Sequence, residues 1–127
     1  FIDINGFKAV NDTHGHETGD KLLCAIAKRL SASVRHYDTV GRLGGDEFLI
    51  ILDNLSSSHE TVRIKNKVLT EFKAVFKLDD VLLNISPSIG IANYPEHGQT
   101  DHELIKYADQ AMYKNKQQGL DNVTYLP

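Results

Sequence analysis

The sequence is poor in the residues that stabilise small folds by covalent or metal links. Its 127 residues include one cysteine, one methionine, three prolines and no tryptophan. A single cysteine, Cys24, can form neither an intramolecular disulfide nor a CxxC-type zinc or redox site, and it fits a protein of the reducing cytoplasm. Its apolar neighbours in a helical pattern predict a small buried filler rather than a nucleophile.

Long apolar runs and a strong charge excess are also missing. No run approaches the roughly 20 apolar residues that cross a bilayer, so this segment is not expected to contact a membrane. Lysine and arginine number 14 against 17 aspartates and glutamates, a net charge of −3. Because no stretch is strongly basic, a nucleic-acid polymer is not an expected partner. The nine glycines form neither a GxxxxGK[ST] loop nor a GxGxxG fingerprint, so the common nucleotide folds gain no support.

The length and composition fit one compact domain. The hydrophobic fraction is 41% and the charged fraction is 24%, both ordinary for a globular protein. We therefore expect a single domain over residues 1–127. Its first four residues have the pattern of a strand that begins further upstream, so we expect this domain to be truncated at its N-terminal end.

Helical and strand periodicities alternate along the chain. Apolar residues at helical spacing, two of the stretches opening with a capping-box pair, indicate helices. Short β-branched runs indicate strands, and Gly44-Gly45 between two of them predicts an antiparallel hairpin. Pro87 lacks a backbone donor, which predicts an edge strand or a bulge. The pattern favours an α+β fold with a largely antiparallel sheet flanked by helices. We expect helices at 19–34, 57–76 and 100–119 and strands at 1–4, 39–43, 48–52, 81–85, 88–92 and 123–126.

Acidic residues follow the first strand and the hairpin turn. Asp3 ends the strand, and Asp46 and Glu47 come directly after the two glycines. Carboxylates from different strands suit Mg²⁺ or Mn²⁺, ions that also hold substrate phosphates. Successive strand residues face opposite sides, so Asp46 and Glu47 can share one ion only if the turn distorts the strand. A solvated Gly-Gly-Asp turn is the alternative.

The segment from Gly6 to Asp20 is dense in glycine and short polar residues, which predicts a functional loop or a short irregular helix. Backbone N–H groups near Phe7 and Lys8, with the Lys8 ammonium, could hold a phosphate oxygen. Asn11 offers a donor and an acceptor and Asp20 offers two acceptors, a set that could read the polar edge of guanine. The structural alternative is that Asn11 forms a turn and Asp20 stabilises the start of its helix.

Four ordered motifs resemble the GGDEF family of diguanylate cyclases. They are Arg42-Leu43-Gly44-Gly45-Asp46-Glu47-Phe48, Phe7-Lys8-x-Val10-Asn11-Asp12-x-x-Gly15-His16-x-x-Gly19-Asp20, Ser88-Ile89-Gly90-Ile91-Ala92 and Ala108-Asp109-x-Ala111-Met112-Tyr113-x-x-Lys116. The resemblance covers nearly the whole chain, without the family's upstream helix. It implies a fold similar to the palm of adenylyl cyclases and polymerases.

The same resemblance implies an activity and a set of site residues. Two GTP molecules would be joined into cyclic di-GMP with release of two pyrophosphates, one GTP being held by each subunit of a homodimer. Two Mg²⁺ or Mn²⁺ ions per half-site would be held by Asp3, the carbonyl of Ile4 and Asp46, with Asp46 as candidate base and Glu47 coordinating or orienting. The implied substrate contacts are guanine recognition by Asn11 and Asp20, a base pocket lined by Leu23, and phosphate contacts from Phe7, Lys8 and Lys116.

Two positions depart from the family's pattern, and one short motif matches its product site. Asn5 replaces the second aspartate of Asp-x-Asp but leaves Asp3 intact, and Leu120 replaces an arginine that contacts phosphate. Arg35 and Asp38 have the Arg-x-x-Asp spacing of the site through which cyclic di-GMP inhibits these enzymes. The alternative for Arg35 is a helix-terminal arginine that pairs with nearby carbonyls or carboxylates.

Three hypotheses of function follow. The first is an active diguanylate cyclase module whose parent chain carries sensory or phosphodiesterase domains. The second is a catalytically silent module that binds GTP or cyclic di-GMP and regulates an attached domain such as a phosphodiesterase. A structural α+β interaction domain is the third. The intact carboxylates and guanine-reading residues favour the enzyme, whereas Leu120 and the truncated start favour the silent module.

Overall fold

The computed structural model describes residues 1–55 and 57–117. Within these ranges, strands and helices alternate in an α+β arrangement. The predicted strand at 123–126 and Leu120 lie outside the described residues. The elements are β1 (Ile2–Ile4), α1 (Phe7–His14), α2 (His16–Ser33), β2 (Thr39–Gly44), β3 (Glu47–Ile51), α3 (Ser58–Lys73), β4 (Phe76–Leu78), β5 (Val81–Leu83), β6 (Pro87–Ile89) and α4 (Asp101–Gln117).

The main sheet is antiparallel throughout, with strand order β2-β3-β1-β6. This confirms the predicted hairpin, in which β2 and β3 pair across the Gly44-Gly45 turn. The short strand β1 lies between β3 and β6 and pairs with both. Pro87 opens β6, which is an edge strand of the described sheet, as its missing donor requires. Strands β4 and β5 form a separate antiparallel hairpin.

Helices cover both faces of the main sheet. On one face, Ile2, Ile4 and Phe48 belong to a buried cluster with Leu22 and Ile26 of α2, and this cluster also includes residues of α1 and α3. The other face receives α4, which approaches the backbone after β6 so closely that a Cβ added at Gly90 would lie 1.9 Å from the Ala108 carbonyl oxygen. A side chain at position 90 would therefore push α4 away from the sheet.

Three local expectations were wrong. The helix expected to reach Phe76 ends at Lys73, and Phe76 begins β4. Arg29 explains this end: its guanidinium donates to the carbonyls of Glu71, Ala74 and Val75 and lies 3.5 Å from the centre of the Phe76 ring. These bonds satisfy carbonyls that a continued helix would have used.

The other two concern Cys24 and the first capping box. Cys24 lies on α2 but is exposed, because the helix turns its Leu22, Leu23 and Ile26 side toward the core. The Ser57 side chain makes no cap hydrogen bond to the first turn of α3. The second box does form, since the Glu103 amide donates to Thr100 Oγ1 at 3.1 Å. No helix within residues 1–55 and 57–117 has the length and apolar character needed to span a bilayer.

Candidate functional site

The register of β1 places acidic and hydroxyl side chains on one face of the sheet. Asp3 lies directly opposite Glu47 on β3 and Ser88 on β6. Directly opposed residues of antiparallel strands point to the same side, so these three side chains share the face on which α4 packs. The Asp3 side chain itself meets α4 through Lys116.

The hairpin turn brings Asp46 to the same place. Its carbonyl accepts a hydrogen bond from the Ile4 amide at 3.1 Å, and the β2–β3 register shifts between Arg42 and Gly44. Gly44 and Gly45 have φ angles of 146° and 50°, which favour glycine. Asp46 therefore lies in the turn, before β3 begins at Glu47, so strand alternation does not fix the direction of its side chain.

Burial and mutual repulsion raise the pKa values of these carboxyls. The pKa of Asp46 is raised above 3.8, first by burial and then by the Asp3 carboxylate. The pKa of Glu47 is raised above 4.5 by burial and by Asp3, Asp109 and Asp46. Asp109, on α4, is a contributor that the sequence motif contained but our prediction did not assign to the site. Both raised values describe a site with excess negative charge.

Asp3 has one partnered and one unpartnered oxygen. The residue is 8% exposed, and Oδ2 accepts a hydrogen bond from Lys116 Nζ at 2.7 Å. This bond raises the pKa of the Lys116 ammonium. Oδ1 is buried and has no hydrogen-bond partner among the described groups, which is costly for a carboxylate oxygen unless a ligand supplies the partner.

These residues fit a divalent cation. A buried, unpartnered oxygen of Asp3 beside a second carboxyl of raised pKa offers the hard oxygen ligands that Mg²⁺ prefers. Within the described part of the chain, no group of three or more histidine, cysteine, aspartate or glutamate side chains could hold a metal. An ion here would therefore also need oxygens from the backbone, such as the Ile4 carbonyl, from substrate phosphates or from water.

The predicted guanine-reading residues lie at the junction of α1 and α2. Asn11 Oδ1 is buried without a hydrogen-bond partner in the described structure. It lies across Gly19, where an added Cβ would be only 1.8 Å from this oxygen. Leu23 is buried, one turn after the exposed Asp20. Gly19 was missed as a site residue, although a glycine within a predicted helix is a signal of close approach.

The predicted phosphate-binding segment forms the helical start of α1. Phe7 is the first helical residue, and the preceding Gly6 has a φ of 75° and makes no side-chain cap bond. The first bond of the helix runs from the Val10 amide to the Gly6 carbonyl. The amides of Phe7, Lys8 and Ala9 therefore point out of the N-terminal end of the helix, where an anion can accept their hydrogen bonds. Lys8 is exposed beside them.

The Arg35–Asp38 motif is closed on itself. Arg35 Nε and Nη2 donate to the two carboxylate oxygens of Asp38 at 2.8 and 2.7 Å. The same guanidinium donates to Glu60 Oε2 at 3.1 Å and to the Asp53 carbonyl at 2.8 Å. This is the arrangement of the structural alternative, and it holds the pKa of Asp38 below 3.8 through the hydrogen bond from Arg35.

Comparison with known proteins gives a consistent result. The family described as "Diguanylate cyclase, GGDEF domain" matches residues 1–122. The bifunctional diguanylate cyclase/cyclic di-GMP phosphodiesterase MucR of Pseudomonas aeruginosa is 44% identical over 126 residues, which are 99% of this chain and 18% of MucR. The chain thus spans less than a fifth of that relative.

Solved structures show the same fold. The crystal structure of the GGDEF domain of TpbB from Pseudomonas aeruginosa has a TM-score of 0.95 and 39% identity, with 99% of this chain and 79% of that chain covered. The GGDEF domain of DgcB from Caulobacter crescentus, solved in complex with c-di-GMP, has a TM-score of 0.78 and 26% identity, with 98% of this chain and 74% of that chain covered.

Proposed function

The chain belongs to the GGDEF family of diguanylate cyclase domains, and from this membership we propose that it condenses two GTP molecules into cyclic di-GMP. In each of two successive steps, the 3′-hydroxyl oxygen of one GTP bonds to the α-phosphorus of the other. The bond to pyrophosphate breaks, and the hydroxyl proton leaves. The observation that carries the proposal is the buried, unpartnered Oδ1 of Asp3 beside Asp46, because it marks an oxygen site that a ligand completes.

Asp3, the Ile4 carbonyl and Asp46 are the proposed ligands of two Mg²⁺ or Mn²⁺ ions per half-site. When bound, such ions neutralise phosphate charge and lower the pKa of a hydroxyl nucleophile. Asp46 has a raised pKa and is the candidate to accept the hydroxyl proton. Glu47 lies directly opposite Asp3 on the neighbouring strand. Its carboxylate adds negative charge that favours the same ions.

The substrate contacts proposed for this chain use groups that have open hydrogen-bonding capacity. Asn11 presents its unpartnered Oδ1, which can accept a hydrogen bond from the guanine edge. Asp20, on the next helix, adds two carboxylate acceptors. Leu23 lines the base pocket. Triphosphate oxygens would accept hydrogen bonds from the amides near Phe7 and Lys8. The Lys116 ammonium, which contacts Asp3 in this structure, would contact a phosphate if cations were bound to the carboxylates.

A homodimer is proposed because one half-site holds one GTP and the product contains two. Two copies must then bring their β2–β3 hairpins face to face. The rate per chain should increase with protein concentration until the dimer is saturated.

A cytoplasmic location remains the prediction of the lone cysteine.

The direct experiment is incubation of the protein with GTP and Mg²⁺ over a range of protein concentrations. Cyclic di-GMP and pyrophosphate should form in a ratio of one to two. The matched control is Asp80→Ala, which removes an exposed turn carboxylate on the separate β4–β5 hairpin. Turnover by Asp46→Ala equal to that of the control would reject the assignment of the site.

A silent regulatory module is the second candidate, favoured by the 34% identical relative NbdA of Pseudomonas aeruginosa, which is named only as a cyclic di-GMP phosphodiesterase. In that case the chain binds GTP or cyclic di-GMP and controls an attached domain without turnover. GTP binding by calorimetry in the absence of any pyrophosphate release would select this function. The Asn5 substitution and the closed Lys116–Asp3 contact are compatible with either candidate.

The Arg35–Asp38 motif is proposed as the site at which cyclic di-GMP binds and inhibits. The DgcB domain was solved with c-di-GMP bound, and the planar guanidinium of Arg35 suits phosphate or a guanine edge. Because four hydrogen bonds already occupy this guanidinium, product binding must replace some of them. Product affinity should therefore increase when Glu60 is replaced by glutamine.

A further inference from the structure

We propose that Ser88, acting through Asn5, is a positioning residue that fixes the turn between β1 and α1. This turn contains the Ile4 carbonyl and leads into the amides at Phe7 and Lys8. The inference deepens the proposed cyclase function and rests on it. Neither Ser88 nor Asn5 is assigned a contact with substrate or metal.

Three hydrogen bonds hold Asn5 to the chain around β6. Ser88 is 1% exposed, and its Oγ donates to Asn5 Oδ1 at 2.8 Å. Asn5 Nδ2 donates to Ser86 Oγ at 3.2 Å, and the Asn5 amide donates to the Ser86 carbonyl at 3.0 Å. Both ends of the side-chain amide are therefore engaged.

These bonds continue the pairing of β1 beyond the last residues of the ladder. The ladder between β1 and β6 finishes with Ile4 opposite Pro87, and the Asn5 amide donates to the Ser86 carbonyl one position further. Hydrogen-bonded and non-hydrogen-bonded pairs alternate in an antiparallel ladder, so Pro87 lies in a non-hydrogen-bonded pair and its missing donor faces the free edge. Ser86 and Ser88 flank this proline, and their hydroxyls add side-chain bonds to Asn5 at the end of the ladder.

The held residue controls the direction of the chain into the site. Asn5 lies between Ile4, whose carbonyl is a proposed ligand, and Gly6, whose φ of 75° starts α1. A change in the Asn5 backbone would rotate the Ile4 carbonyl and the first amides of α1 together. Errors of about 1 Å at such groups can reduce a rate about 100-fold.

The neutral amide also explains why position 5 can be asparagine, although the family usually has aspartate there. An aspartate would accept from both serine hydroxyls, so it would keep the bond to Ser88 while adding charge near Asp3. The asparagine keeps the turn in place without that charge. Position 5 therefore acts through its acceptor to Ser88 rather than through a negative charge.

The test compares Ser88→Ala and Asn5→Ala with the conservative variant Asn5→Asp. A matched control is Ser33→Ala, since Ser33 is 2% exposed and its hydroxyl donates to the Arg29 carbonyl at 2.8 Å, within α2. Three properties are measured: amide hydrogen exchange at residues 5–8, affinity for Mg²⁺ with 3′-deoxy-GTP by calorimetry, and kcat and KM for GTP.

We expect Ser88→Ala and Asn5→Ala to accelerate exchange at residues 5–8 and to weaken nucleotide affinity about 10- to 100-fold. The double variant should lose no more than either single variant, because both break one unit. Asn5→Asp should stay within about 3-fold of the parent in affinity, because it keeps the acceptor for Ser88. Ser33→Ala should leave exchange at residues 5–8 unchanged.

Two results would overturn the inference: an effect of Ser88→Ala no larger than that of Ser33→Ala, or additive losses in the double variant. A parent that binds 3′-deoxy-GTP but makes no cyclic di-GMP rejects the cyclase function alone, and exchange and affinity still decide the role of Ser88. A parent that binds no nucleotide rejects both.

Discussion

Lys116 Nζ donates a hydrogen bond to Asp3 Oδ2 at 2.7 Å and thereby joins two residues 113 positions apart. The ammonium compensates a carboxylate that is itself close to Asp46 and Glu47. In this state the lysine supplies positive charge to the carboxylates that we propose as metal ligands. We therefore expect metal binding to be coupled to the loss of the Lys116–Asp3 contact, after which Lys116 can contact a phosphate.

Lys116→Met should separate metal affinity from nucleotide affinity. Removal of the ammonium leaves the carboxylates without compensation, so Mn²⁺ affinity without nucleotide should increase several-fold. GTP affinity should fall about 10- to 100-fold, because a charge-assisted contact is lost. Calorimetric titrations with each ligand measure both effects. Lys114→Met, on the exposed side of α4, is the control, and parallel losses of both affinities would contradict the coupling.

Asp46→Asn should stabilise the metal-free protein at neutral pH. A raised pKa means that the folded state favours the protonated carboxyl, so this group's contribution to stability is greatest below its ordinary pKa of 3.8 and is lost as pH rises through the raised value. The melting temperature of the variant relative to the parent should therefore increase with pH, by up to about 4 °C. Mg²⁺ should stabilise the parent more than the variant. The prediction is rejected if the difference in melting temperature between variant and parent is the same at pH 4 and at pH 7.

Gly19→Ala should impair guanine binding specifically. The added Cβ would lie 1.8 Å from Asn11 Oδ1, so the amide must leave its present position. GTP affinity should fall about 10- to 100-fold, whereas the weaker ATP affinity should change little, because only the guanine contact is removed. Gly41→Ala is the control, since no atom lies within 4 Å of its added Cβ. A uniform loss for both nucleotides would show that Asn11 does not select the base.

Asp38→Asn should destabilise the fold whether or not cyclic di-GMP binds there. The Asp38 side chain is fully buried against Arg35, and loss of its charge should cost about 1–3 kcal/mol in the free energy of unfolding at pH 7. A lowered pKa contributes stability above the ordinary value of 3.8, and this contribution disappears as pH falls through the lowered value. Urea unfolding of variant and parent, at pH 7 and at a pH below 3.8, measures this contribution. The exposed Lys21–Asp79 pair provides the control Asp79→Asn, for which little change is expected.

The sequence predicted the elements whose signals are local. The hairpin followed from Gly44-Gly45, and the start of α4 followed from the Thr100 capping box. β4 was missed because Phe76 continues the helical spacing of α3, and only the distant Arg29 ends that helix. No local pattern reveals such a contact.

The candidate site divides in the same way. The types of residues and their motifs identified the family, which was confirmed. The approach of Asp46 to Asp3 depends on the pairing of β1 with β3, and the closure of Arg35 on Asp38 and Glu60 depends on α3 packing beside the motif. Asn11 and Gly19 touch because α1 and α2 fold back on each other. These relationships are products of tertiary packing, so sequence spacing could not have predicted their geometry.

The central position of β1 has a consequence for protein synthesis. Its two neighbours, β3 and β6, are translated about 45 and 85 residues later, and Lys116 later still. Asp3 thus leaves the ribosome long before any partner can hold it. A nascent chain that stops before α4 would carry the GGDEF motif without the Lys116–Asp3 contact, so the carboxylates of the site lack this compensating ammonium until α4 is made.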